Sequence, residues 1–168
     1  MKWSLWVGAA GLVSLVVSCG AQAGPQNLGH PGEHMTCFWD GILAGLSASH
    51  RDALRLPPQP RPIHLVSRLQ ALNAPTPGLL WEGTPLTDKM LEENEAHVRE
   101  FSPQSLASGY WCSTCDPFLC LLCHTLRVNI VHTYLGHPIQ YTHPCADTER
   151  TLRFRSNRGH FWAQGAGP

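Results

Sequence analysis

The sequence has little charge and no excess of either sign. Its 168 residues carry 12 Lys+Arg and 12 Asp+Glu, so the formal net charge is zero and charged residues make up only 14 %. A nucleic-acid binder draws affinity from a basic face that neutralises phosphates, and scattered Arg in a neutral chain do not build one. Periodic glycine is also absent. The 15 Gly and 14 Pro follow no repeat, which excludes collagen. No internal repeat of another kind is present. The 10 histidines include no HExxH and no pair four apart on a predicted helix, so a helix-borne metal site of that type is missing. Wholesale disorder is excluded by a hydrophobic fraction of 43 %, which is that of a globular protein. The length suits one domain with a modest core.

What is present is an odd set of 7 cysteines and an apolar beginning. Lys2 is the sole charge before Glu33, Leu5 to Val17 is mostly apolar, and Ala21-Gln22-Ala23 has the small-x-small form of a leader cleavage site. Residues 1–23 are therefore expected to be a signal peptide or membrane anchor, which makes the protein secreted or membrane-associated. Val16-Val17-Ser18-Cys19 also has the form of a bacterial lipoprotein box, in which Cys19 carries the lipid. Cleavage would remove Cys19 and leave Cys37, Cys112, Cys115, Cys120, Cys123 and Cys145.

Beyond the leader, residues 24–34 are rich in Gly and Pro and read as a loop. Phe38, Ile42, Leu43 and Leu46 recur at helical spacing, so a helix is expected from about Cys37 with Thr36 as its N-cap. The prolines of Leu56 to Pro62 impose a loop. His64 to Leu72 is a short helix with Leu65, Leu69 and Leu72 on one face, ended by Asn73 to Gly78. Thr87 to Val98 is a charged helix opening at Thr87, and Ser102 to Gly109 a turn or short helix. Pro117 to Leu126 is a buried helix with Asp116 as cap and Pro117 in its first turn. Strands follow at Val128 to Tyr134, Pro138 to Thr142, Thr151 to Arg155 and Gly159 to Ala163, with turns at Gly136 and at Ser156 to Gly159. The expected class is α+β, with N-terminal helices packed on a C-terminal antiparallel sheet.

Two residues carry the chemistry. Cys37 sits where a loop ends and a helix begins, and a helix N-terminus lowers a thiol's pKa by placing partial positive charge beside it. His160 sits in Gly-His-Phe-Trp on a late strand, where a rigid imidazole can take a thiol proton and return it to a leaving amine. The backbone N–H of Cys37 and one from the preceding loop can hold an oxyanion. Taken singly, each residue is more simply a buried or disulfide-bonded cysteine and a surface histidine.

Three segments bring the two together. HMTCFWDGILAGL sets a Cys before aromatics and an apolar helix, GYWCSTCDPFLCLLCHTLRVNIVHTY sets an aromatic turn before a helix and a central strand, and TLRFRSNRGHFWA closes with a His-aromatic strand. In this order, over about residues 35–163, they resemble the papain-like cysteine proteases of the ovarian-tumour (OTU) type, which remove ubiquitin from conjugates. The resemblance implies an OTU-like domain over residues 35–168, thiol-dependent cleavage of peptide or isopeptide bonds, no cofactor, and a protein or ubiquitin-like substrate. It makes Cys37 the nucleophile and His160 the general base. The family's usual Asp three residues before the Cys is His34 here, beside Glu33, and its Asn or Asp two residues after the His is Trp162. Asn157, in the turn before His160, is the first choice for the ring-orienting third member. Asp40, one turn beyond Cys37, reads as a helix-surface acid.

Cys112-x2-Cys115-x4-Cys120-x2-Cys123 is the densest local pattern, yet its four-residue spacer is short for a zinc ribbon and fits neither common ferredoxin run. Cys120 and Cys123 lie in an apolar helix and read as small core residues, with disulfide or metal roles as alternatives. Cys112 and Cys115 lie in a loop, where cross-linking or a functional role is more natural. His137, His143 and Cys145 are a further candidate surface metal set, and His132 reads as a satisfied sheet residue. Arg150, Arg153, Arg155 and Arg158 make a local basic stripe beside His160, either a solvent face or a contact for an acidic protein substrate. Two other function classes stand beside the protease: a non-catalytic secreted or membrane-tethered interaction domain held by disulfides, and a small Cys-cluster metal-binding protein.

Overall fold

The structure, a computed structural model, describes residues 17–18, 36–146 and 150–165. Most of the expected leader, Cys19 and the loop 24–34 lie outside these residues. The described residues begin with a short strand β1 (Val17–Ser18) and continue with α1 (Cys37–Gly45), α2 (Ala48–Ala53) and α3 (Pro62–Ala71). A hairpin of β2 (Leu80–Trp81) and β3 (Thr84–Pro85) follows, then α4 (Asp88–Glu100), a 3-10 turn (Pro103–Ser108) and β4 (Trp111–Cys112). The last part comprises α5 (Pro117–Leu126), β5 (Asn129–Tyr134), β6 (His137–Thr142), β7 (Thr151–Ser156) and β8 (Phe161–Ala163).

The α+β class holds. The sheet is mixed rather than antiparallel: its order is β3-β2-β6-β5-β7-β8, and β5 runs parallel to β7 while every other neighbour is antiparallel. β6 ends beside the start of β5, and β7 starts there too on the other edge of β5, so β7 runs in the direction of β5. β2 adds to the far side of β6, so the sheet also draws on the middle of the chain. β1 pairs separately with β4, Val17 opposite Cys112 and Ser18 opposite Trp111. Thus two residues of the expected leader lie in a strand pair with the domain. No helix among the described residues is long and apolar enough to cross a membrane.

The strands alternate as a sheet with one covered face should. Ile130, His132 and Tyr134 of β5, Leu152, Phe154 and Ser156 of β7, and Phe161 and Ala163 of β8 are buried on the inner face. α1 lies over β7 and β8, and α5 over β5 and β6. α5 starts where Asp116 accepts the backbone N–H groups of Phe118 and Leu119 at 3.0 and 3.1 Å, with Pro117 next. The carboxylate satisfies two orphan donors of the first turn, and the proline, with no N–H, removes another. α4 is capped in the same way by Thr87, whose hydroxyl accepts from Met90 N–H. The hairpin turns at Glu82-Gly83 and Leu135-Gly136 have positive φ at both residues, as two-residue turns between twisted strands require. An aromatic cluster of Phe38, Trp39, Tyr110, Phe118 and Phe161 joins α1, α5 and β8, its ring centroids 4.4–5.4 Å apart in contacting pairs.

Candidate functional site

Cys37 is the first residue of α1 and is 4 % exposed. Thr36 occupies the N-cap position without a side-chain cap; its hydroxyl donates instead to the Asp40 carboxylate on the helix surface. Asp40 is exposed, in keeping with a surface acid. Cys37 is disulfide-bonded, whereas Cys112, Cys115, Cys120, Cys123 and Cys145 are free.

The position of α1 on the sheet depends on two glycines. A Cβ on Gly41 would stand 2.7 Å from Phe161 Cδ1 and 3.1 Å from both the Phe161 carbonyl oxygen and Trp162 Cα. One on Gly45 would stand 2.8 Å from the Phe154 ring and 3.4 Å from Ala163 Cβ. The helix therefore rests on the backbone of β8 and runs along it in the same direction. α1, which Cys37 opens, thus packs on the inner face of β8, and His160 immediately precedes that strand.

His160 is exposed and immediately precedes β8. Its ring stacks on that of Trp162, with centroids 5.6 Å apart and planes 17° from parallel. Trp162 is paired in register with Arg155, so His160 shares its side of the strand with the outer face, while Phe161 between them fills the core. Asn157 acts on the backbone of His160. Its Oδ1 accepts the N–H groups of Gly159 and His160, both at 2.9 Å, and its own N–H donates to the His160 carbonyl at 3.0 Å. This closes the β7–β8 turn and fixes where His160 leaves it, with the acceptor oxygen of Asn157 engaged by the main chain.

The cysteine cluster is divided by burial. Cys120 and Cys123 are fully buried in α5, and burial pushes the Cys123 thiol up to about 12. Cys123 donates to the Val128 carbonyl at 3.0 Å. Cys112, expected in a loop, belongs to β4 and is also buried; desolvation and the nearby Asp116 carboxyl raise its pKa. Cys115 is half-buried, with its sulfur 3.9 Å from that of Cys120. Among the described residues no group of three His, Cys, Asp or Glu is gathered as a metal site. The set of His137, His143 and Cys145 does not assemble as one. His143 instead lies against His124, with ring centroids 5.5 Å apart, and its Nδ1 accepts the Cys145 N–H at 3.0 Å.

Sequence reasoning missed a buried pair on the inner face of β5 and β7. His132 Nε2 and Ser156 Oγ are 2.6 Å apart, and the His132 ring lies 5.2 Å from that of Phe161. His132 Nδ1 is buried without a hydrogen-bond partner, so the ring is only half satisfied. Burial lowers its pKa to about 4. Period-two alternation in both strands puts these residues on the inner face, but their partnership depends on the parallel register of β5 and β7.

No protein-family model, curated protein or solved structure matches the chain.

Proposed function

We propose that the protein is a papain-like thiol hydrolase of the ovarian-tumour type, cleaving peptide or isopeptide bonds of protein substrates, ubiquitin conjugates among them. The observation that supports this reading is that Cys37 opens α1, which packs on β8, the strand that His160 immediately precedes. In the reduced protein His160 takes the Cys37 proton and the thiolate attacks the substrate carbonyl carbon. The backbone N–H of Cys37 stabilises the oxyanion, and the imidazolium protonates the leaving amine as the C–N bond breaks. Water then hydrolyses the thioester. Because Cys37 is disulfide-bonded, the nucleophile is latent, and a thiol reductant must open that bond before the first step.

The same disulfide favours a second reading, a non-catalytic disulfide-containing interaction domain, secreted or tethered through the N-terminal segment. The two are separated by incubating the full-length protein with an electrophilic ubiquitin probe, before and after reduction, beside Cys37→Ala and His160→Ala. The hydrolase requires labelling at Cys37 in the reduced wild type and its loss in both variants. Iodoacetamide makes the same comparison without assuming a substrate: His160→Ala should slow alkylation of reduced Cys37 at neutral pH by about tenfold or more. Unchanged alkylation rates together with no probe labelling would leave the disulfide-held domain as the function.

A further inference from the structure

Cys115 and Cys120 are the only pair of free cysteines among the described residues whose sulfurs are in hydrogen-bond contact, 3.9 Å apart. They belong to different local structures. Cys115 lies in the turn before α5 and is half-buried, whereas Cys120 is buried in the body of the helix. One thiol can therefore meet a small reagent from solvent while the other waits behind it. A disulfide has sulfurs about 2.05 Å apart, so side-chain rotation must close the remaining gap.

The surroundings prepare the outer thiol and hold the turn. The hydrogen bond from Cys120 favours the Cys115 thiolate and lowers its pKa, against desolvation. The side-chain amide of Asn94 favours the thiolate as well. The inner thiol is held in its protonated form by the same contact and by burial. The turn is anchored on both sides of Cys115. Thr114 O accepts from Trp81 Nε1 at 3.0 Å and from Tyr141 O–H at 2.7 Å, and Asp116 N–H donates to the Tyr141 oxygen at 3.1 Å. A reactive, partly exposed thiol with a resolving thiol beside it is the arrangement of reversible cysteine oxidation.

We infer that Cys115 and Cys120 form a peroxide-reactive dithiol site, Cys115 attacking the oxidant and Cys120 resolving it as an intramolecular disulfide. The Cys115 thiolate attacks one oxygen of hydrogen peroxide, the O–O bond breaks, and hydroxide leaves. Cys115 is then a sulfenic acid. The Cys120 sulfur attacks the Cys115 sulfur, its proton passing to the departing hydroxyl, which leaves as water. Two thiols and one peroxide become one disulfide and two waters, and a thiol reductant reverses the change. This site is independent of Cys37 and of any hydrolase activity.

The test treats the full-length protein with hydrogen peroxide, blocks remaining thiols, and cleaves on the N-terminal side of Asp116, which separates Cys115 from Cys120. The expected product is a pair of peptides joined through these two residues and released by dithiothreitol. In Cys120→Ser, Cys115 should accumulate as a sulfenic acid trapped by dimedone; in Cys115→Ser, Cys120 should stay a thiol. Trapping of Cys115 in the wild type soon after peroxide addition, fading as the cross-link grows, gives the same order of events without a variant. Oxidation of Cys115 to sulfinic acid without a cross-link, or a cross-link from Cys115 to Cys112 or Cys123, would overturn the assignment.

Discussion

His132 is 1 % exposed and shares its Nε2 with Ser156, so protonating it places a charge in the core beside Phe161. Its pKa falls from the ordinary 6.5 to about 4 because burial disfavours the imidazolium. The unfolded chain therefore binds this proton at higher pH than the folded one, and stability declines as pH falls from about 6.5 toward about 4. At pH 5 the loss from this residue is about 2 kcal/mol. Urea unfolding at pH 7.5 and pH 5 should show this loss in wild type and a smaller one in His132→Gln, whose amide does not titrate. An equal loss in both proteins would place the acid sensitivity elsewhere, for instance at His50, His124 or His143, whose pKa values burial also lowers.

Among the elements, α1 has little freedom in where it sits. Adding a methyl at Gly41 gains about 1 kcal/mol of helix propensity, but overpacking a core costs about 1–3 kcal/mol. Two of the three atoms it meets are backbone atoms of β8, which cannot turn aside. Gly41→Ala is therefore expected to be destabilising, by up to about 2 kcal/mol, in urea unfolding. Neutral or higher stability would mean that α1 rides further from β8 than described. Elements with local signals were legible before the fold was known: Asp116-Pro117 marked the start of α5 and Thr87 that of α4, because caps are written in adjacent residues. The hairpin of β2 and β3 was not, since strands of two residues have no periodicity to read. Nor was the parallel pairing of β5 with β7, because alternation fixes which face a residue takes and says nothing of its neighbouring strand. For the candidate site, the types and helix or strand contexts of Cys37 and His160 could be read, whereas the disulfide, the backbone role of Asn157 and the Cys115–Cys120 contact arise from tertiary placement.

Across the whole molecule, cysteines divide by redox state and charges by region. Alkylation of the unfolded, unreduced protein should modify Cys112, Cys115, Cys120, Cys123 and Cys145, and Cys37 only after reduction. Modification of Cys37 without reductant would contradict its disulfide. The zero net charge is likewise a sum of unlike parts. α4 carries Glu92, Glu93, Glu95 and Glu100 with few cations, whereas β7 presents Arg153 and Arg155 on the outer face beside Trp162. His160, stacked on Trp162, stands beside the basic part.

The packing of α1 on β8 also has a consequence in time. Cys37 and Ala163 stand near opposite ends of the described domain, yet each element is the other's floor. During synthesis, α1 leaves the ribosome more than a hundred residues before β8 does. At about 5–20 residues per second, that interval is about 6–25 seconds. Throughout it Phe38, Trp39 and Ile42 have no sheet to cover them, and the sulfur of Cys37 is open to whatever thiols and oxidants surround the nascent chain.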